Sequence, residues 1–197
     1  MAESYVIGVD FGSDSVRALI VNTETGENVG QGVACYPRWK AGLYQHPEYS
    51  IFRQHPLDYL ESLEKCITTA LAELTEEQKD HVIGIGVDTT GSTPVPVDKN
   101  GTPLALLDEF AENENAMFFL WKDHAAAAEA DEINKLFRNN SENDYTKYQG
   151  DYSAEWYWAK ILYAVRHDEA IRQAAYTWEE HCDWMTGILC GETRPEK

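Results

Sequence analysis

A change of period early in the chain fixes most of what it can fold into. Residues 5–10, 16–21 and 29–36 have strand length and apolar character, and short polar links such as NTETGE (22–27) join them. Three strands so close in sequence form an antiparallel meander. From Pro56 the pattern becomes helical, with Leu57, Leu60, Leu63, Ile67, Leu71 and Leu74 on one spacing and proline in the first turn. The run HVIGIGVD (81–88) then returns to strand character and ends on a carboxylate. A helix between meander and strand is a crossover, which lays the new strand parallel to its neighbour. Its continuous apolar character predicts a buried strand flanked by helices. The expectation is an α/β domain with a mixed sheet: a three-strand antiparallel meander plus a parallel strand, flanked by helices.

The remaining segments punctuate this plan. Residues 37–56 read as a long loop rich in aromatics and histidine, of the kind that covers a site or forms one. PVPVDKNGTPL reads as a small hairpin around Lys99, Asn100 and Gly101. The second half is predicted mostly helical, with a polar break at RNNSEND (138–144) and helices over 153–167 and 178–189.

Charge narrows the partners. With 34 acidic against 16 basic residues the formal charge is −18, so nucleic acid is repelled. The same field repels ATP, so any nucleotide site needs amide dipoles, Mg²⁺ or arginine to rescue it. No apolar run reaches membrane-spanning length, and MAESYVIG lacks the basic start of a signal peptide. A cytoplasmic protein is expected, with no membrane partner. Cys35, Cys66, Cys182 and Cys190 show no CxxC spacing and read as buried or half-buried thiols in a reducing compartment. His181 beside Cys182 is the one hint of a metal, without a second pair to support it.

Three clusters carry possible chemistry. In VIGVDFGSDSVRALIV a tight turn joins two strands. Small residues there can aim successive amides into an anion-binding concavity. Gly12 allows positive φ and close approach, Ser13 and Ser15 can donate to phosphate oxygens, and Arg17 can offset phosphate charge. Asp10 at the strand end can hold Mg²⁺ through water. An ordinary hairpin with solvated polar residues fits the same pattern. The second cluster is DTTGST. Asp88 sits at the carboxyl end of a parallel strand, where open α/β sheets bind ligands, and Gly91, Ser92 and Thr93 suit a polyhydroxylated ligand. A Ser/Thr-rich turn is the alternative. The third comprises Trp121, Lys122, Asp123 and His124 with Glu155 and Trp156, where indoles can stack on sugar C–H faces among polar anchors. Core aromatics on amphipathic helices are the alternative, and that is the expectation for Trp158 and Trp178.

Together these stretches resemble the FGGY family of sugar kinases, and within it the ribulokinase branch. GVDFGSDSVRAL, YPRWKAG, GIGVDTTGSTPVPVD, FAENENAMFFLWKDH, YSAEWYWAKIL and CDWMTGIL carry the resemblance, which runs from Tyr5 to about Pro195. It implies an actin-like ATPase fold with a ribonuclease-H-like core, and cofactors ATP and Mg²⁺. Asp10, Gly12, Ser13, Ser15 and Arg17 match the family's first phosphate hairpin, with Asp10 near the metal. Asp14 stands where glycerol kinases carry threonine. Gly91 and Ser92 stand where glycerol kinases carry an Arg-Glu pair that binds the polyol, which leaves room for a larger ketose such as L-ribulose. Asp88, Thr93, Trp121, Glu155 and Trp156 are the other expected substrate contacts.

The family's chain is more than twice as long, and its catalytic aspartate lies beyond Lys197, so no catalytic base is expected here. The chain then reads as one truncated N-terminal kinase domain, residues 1–197, whose C-terminal domain is absent and which is inactive alone. A sheet edge left bare would favour a homodimer. The rival is a non-catalytic module that binds a sugar or a partner.

Overall fold

A computed structural model describes residues 3–140, 142 and 144–197. In chain order the elements are β1 (Tyr5–Phe11), β2 (Ser15–Asn22), β3 (Asn28–Cys35), α1 (Pro37–Lys40), β4 (Gln45–His46), β5 (Ile51–Gln54), α2 (Pro56–Leu71), α3 (Glu76–Asp80), β6 (Val82–Thr89), β7 (Pro94–Val97), β8 (Phe118–Phe119), α4 (Ala127–Asn139), α5 (Thr146–Gln149), α6 (Tyr157–His167), α7 (Glu169–Ala174), β9 (Thr177–Glu180) and α8 (His181–Cys190). They form two compact units, Met1–Leu43 with His55–Thr90, and Tyr44–Gln54 with Gly91–Lys197. No helix among the described residues is long and apolar enough to cross a membrane.

The first unit is a four-stranded sheet in the order β3-β2-β1-β6. β1 pairs antiparallel with β2 and parallel with β6, as the crossover pattern requires. Alternation along β1 buries Tyr5, Ile7, Val9 and Phe11, and β2 adds Val16, Ala18 and Ile20. Helix α2 covers this face along β2 and β3. Its approach is set by two glycines of β3. A Cβ at Gly32 would stand 2.1 Å from the Cys66 carbonyl oxygen, and one at Gly30 2.6 Å from that of Ala70. The helix therefore rests almost directly on backbone. It buries Asp58, Tyr59, Ser62, Leu63, Cys66 and Ala70, while Leu60, Ile67 and Leu71 flank the seam half-buried. Leucine spacing located the helix but not the face that packs closest, because that face has to be small.

Strand β6 departs from expectation. It is the outer strand of the sheet and lies beyond the reach of α2, so Ile83 is 70% exposed and Ile85 43%. Its apolar run is not buried between helices. On the face away from α2, Val6, Leu19 and Val33 are exposed as well.

The second unit holds two small sheets, β4-β5-β8 and β7-β9, together with helices α4 to α8. Ala126, Ala130 and Ala159 form one apolar cluster; Leu104, Ala105, Ala116, Met117 and Ile171 form another. A buried ion pair, Arg53 with Asp123, joins β5 to the segment after β8. Asp123 also accepts from the Phe52 amide at 2.7 Å, and the Arg53 guanidinium lies 3.5 Å from the Phe119 ring centroid.

Several expectations change here. Residues 37–56 are not one loop: α1, β4 and β5 occupy much of it, because Phe52, Arg53 and Gln54 pair or pack with the segment at 118–123. The hairpin around Asn100 is closed by one bridge, Val97 to Pro103, and the lasting partner of β7 is β9. Residues 177–180 are therefore strand, and the helix there begins at His181. The helix expected from 153 begins at Tyr157. Within the polar break at 138–144, residues 141 and 143 lie outside those described. Cys66 is buried, but Cys35, Cys182 and Cys190 are exposed, since each faces away from the packed side of its element.

The glycine seam yields a direct test. Gly32→Ala sets a methyl against a backbone carbonyl that no rotamer change can move. The unfolding free energy is expected to fall by at least about 2 kcal/mol, read from the denaturant midpoint. A midpoint equal to the parent's contradicts the seam.

Candidate functional site

Asp10, Gly12, Ser13, Ser15, Arg17 and Asp88 belong to the first unit; Gly91, Ser92, Thr93, Trp121, Glu155 and Trp156 belong to the second. The turn between β1 and β2 is closed by Gly12 N donating to Ser15 O at 3.0 Å. That amide is engaged within the turn. Gly12 does not adopt positive φ, and a Cβ there would meet Ser15 O at an ordinary 3.4 Å. Small size is therefore what the position offers, and left-handed backbone is not needed. Ser13 is half-buried and Ser15 buried. Arg17 reaches Asp10 at 3.4 Å, both largely exposed, so the pair holds little energy and can open.

Two aromatic residues anchor this turn. Tyr36 Oη donates to the Gly12 carbonyl at 3.1 Å, and Trp39 Nε1 donates to the Asp14 carboxylate at 2.6 Å. Burial, then the Asp10 carboxylate, hold the Tyr36 phenol far above its usual range, so it stays a donor. Buried Asp58 of α2 receives the Arg38 and Trp39 amides at 3.1 and 3.0 Å and the Arg38 guanidinium at 3.0 Å, which fixes α1. Sequence reasoning assigned none of these roles. The signal was an aromatic pair directly after β3, facing a turn four residues long.

Register brings two carboxylates together. Asp10 on β1 and Asp88 on β6 are direct partners at the carboxyl ends of parallel strands, and both are exposed. Asp88 Oδ1 accepts from the Thr89 amide at 3.0 Å. Among the described residues no group of three or more His, Cys, Asp or Glu is placed to hold a metal ion. Two carboxylates on an open rim suit a hydrated divalent cation that keeps most of its water.

In the second unit a Cβ at Gly91 would meet nothing within 4 Å, so this position is open. Ser92 adopts φ 53°, the left-handed region. Thr93 is buried, and its amide donates to Glu180 Oε2 at 2.8 Å. Trp121 is 41% exposed. Glu155 pairs with His124 at 2.8 Å, and Trp156 stands edge-on to Tyr152 at 4.8 Å, half-buried. The Lys160 ammonium links two of these segments, donating to Ser92 O at 2.5 Å and Leu120 O at 2.9 Å. Trp158 is 64% exposed and so is not a core residue; it sits on the outer side of α6. Trp178 is half-buried against Phe119 at 5.8 Å, as a packing residue should be.

His181 is fully buried beside Phe118, whose ring also packs on Trp184, and desolvation pushes the His181 pKa down to about 3. Such an environment suits packing better than a metal.

The architecture matches solved sugar kinases. A xylulose kinase from Bifidobacterium adolescentis superposes with TM-score 0.71 at 18% identity over 97% of this chain. A Plasmodium falciparum glycerol kinase solved with ADP gives 0.71 at 15% over 96%. The fold is therefore the actin-like, ribonuclease-H-like one that these kinases share. Residues 5–196 match the N-terminal domain of the FGGY family of carbohydrate kinases, and the chain belongs to that family. A ribulokinase of Vibrio parahaemolyticus is 53% identical over 99% of the chain, and one of Mycolicibacterium smegmatis 38% over 96%. The chain spans about 35% of the length of each of these four proteins.

His181 gives the site's surroundings a pH signature. In the unfolded chain it protonates near 6.5, and in the folded chain only near 3. Unfolding therefore takes up a proton between these values, and this contribution makes stability fall as pH drops from about 6.5 to about 3. His181→Gln is expected to flatten that limb of the stability–pH curve. An unchanged slope contradicts the assignment.

Proposed function

We propose that this chain is the N-terminal part of an ATP-dependent sugar kinase that phosphorylates L-ribulose at its terminal 5-hydroxyl. The supporting observation is 53% identity to a ribulokinase, sustained across 99% of the chain. Bound ATP–Mg²⁺ supplies the phosphoryl group and most of the charge neutralisation. Asp10, with Asp88 beside it in register, would hold the hydrated cation at the carboxyl rim of the sheet. The turn at 12–15 would face the phosphates, its shape held by Tyr36 and Trp39. Arg17 would exchange its loose contact with Asp10 for phosphate oxygen. Gly91 would leave space for a ketose, Ser92 and Thr93 would face its hydroxyls, and Trp121 with Trp156 and Glu155 would line its other side. The sugar proton would pass to a base supplied outside these residues.

The experiment is an assay of the full-length gene product with ATP, Mg²⁺ and L-ribulose. L-ribulose 5-phosphate is expected, and Asp10→Asn is expected to lower kcat by about a hundredfold. Equal turnover of Asp10→Asn removes the metal role. The 197 residues alone are expected to yield no sugar phosphate; its formation would refute the two-part site.

The exposed strand β6 and the apolar face with Val6, Leu19 and Val33 support a second expectation. The chain on its own should self-associate, with sedimentation showing a dimer or larger. A monomer at high concentration opposes it.

A further inference from the structure

Lys160 is a fully buried lysine, and among the described residues it has no ion pair. Its Nζ is surrounded by backbone carbonyls: Ser92 O at 2.5 Å, Leu120 O at 2.9 Å and Trp121 O at 3.5 Å. Three acceptors match the three protons of an ammonium. Burying such a charge without a carboxylate is unfavourable, and an apolar residue of the same length would pack here at lower cost. Desolvation and the nearby Arg53 guanidinium push its pKa down to about 7, with Glu180 and Glu155 opposing. A residue this costly to bury has to be explained by what it holds.

Its carbonyl partners come from two segments only. One is the turn at 91–93 between β6 and β7, where Ser92 is in left-handed backbone that a non-glycine residue does not favour. The other follows β8 and carries Trp121. Glu180 holds the same turn through the Thr93 amide. Without the lysine, the buried Leu120 carbonyl and the part-buried Ser92 and Trp121 carbonyls lose a donor, and the strained Ser92 conformation loses one of its restraints.

We propose that Lys160 is a positioning residue of the sugar site, its ammonium locking the 91–93 turn to the Trp121 segment so that Ser92 and the Trp121 ring meet a ketose at fixed separation. This rests on the sugar-site reading given above. It assigns Lys160 no contact with sugar or ATP.

The test uses the full-length gene product with Lys160→Met, Lys160→Gln and, as reference, Trp121→Ala. Lys160→Met is expected to raise KM for L-ribulose about tenfold or more while KM for ATP stays within about twofold of the parent. Amide hydrogen exchange at Thr93 and Trp121 is expected to accelerate by a similar factor, with β1 and β2 unchanged. Lys160→Gln keeps two donors on a shorter stem and is expected to lie between, about threefold in KM, which leaves a readable variant if the methionine form does not fold. If Trp121→Ala raises the sugar KM and neither lysine variant does, the positioning role is overturned and the sugar site stands. If none of the three changes it, both fall. Equal rises in the KM of sugar and ATP would show a general structural effect and overturn the role.

Discussion

The contact between α2 and β3 is the constraint on which the first unit depends. Gly30 and Gly32 remove the side chains that would otherwise stand between helix and sheet, and Ser62, Cys66 and Ala70 do the same from the other side. The helix is thereby held against the meander at backbone distance. A crossover helix fixed in this way returns the chain alongside β1, and β6 can join only in parallel. Parallel pairing is what sets Asp10 opposite Asp88, so the acidic rim is a consequence of two absent side chains on a strand that never reaches it.

Much of this was legible in the sequence. Strand lengths and the short links around residues 22–27 gave the meander, and the helical spacing from Pro56 gave the crossover. The face of α2 was not legible, because the leucines that signal a helix are not the small residues that make its closest contact. The exposure of β6 was not legible either. An apolar run of six residues, Val82 to Val87, looks the same whether it ends up in the middle of a sheet or on its outside, and only the position of α2 over β2 and β3 decides.

The site divides in the same manner. Asp10, Asp88 and Gly91 stand out in the sequence as carboxylates at two strand ends and a glycine in a Ser/Thr run, patterns that ordinary turns share. Tyr36 and Lys160 do not, since each acts on a carbonyl that sequence does not reveal as needing a donor. Short-range pattern finds the residues that would face a ligand; the residues that hold those in place are distant in sequence and carry no local signature. Trp158 shows the converse error, an aromatic at helical spacing that faces solvent.

The Arg53–Asp123 pair spans 70 residues of sequence. As the chain is made from its N-terminus, β5 and its arginine emerge long before β8 and the aspartate. The flanking segments, up to 43 and from 55, belong to the unit whose last strand ends at Thr89. That unit can therefore close while residues 44–54 still wait for their partners. The excursion must remain soluble until residue 123 is available, and a cationic Arg53 in water serves that interval better than the apolar residue its final burial would favour. A group that looks ill-suited to the finished core is thus suited to the order in which the core is assembled.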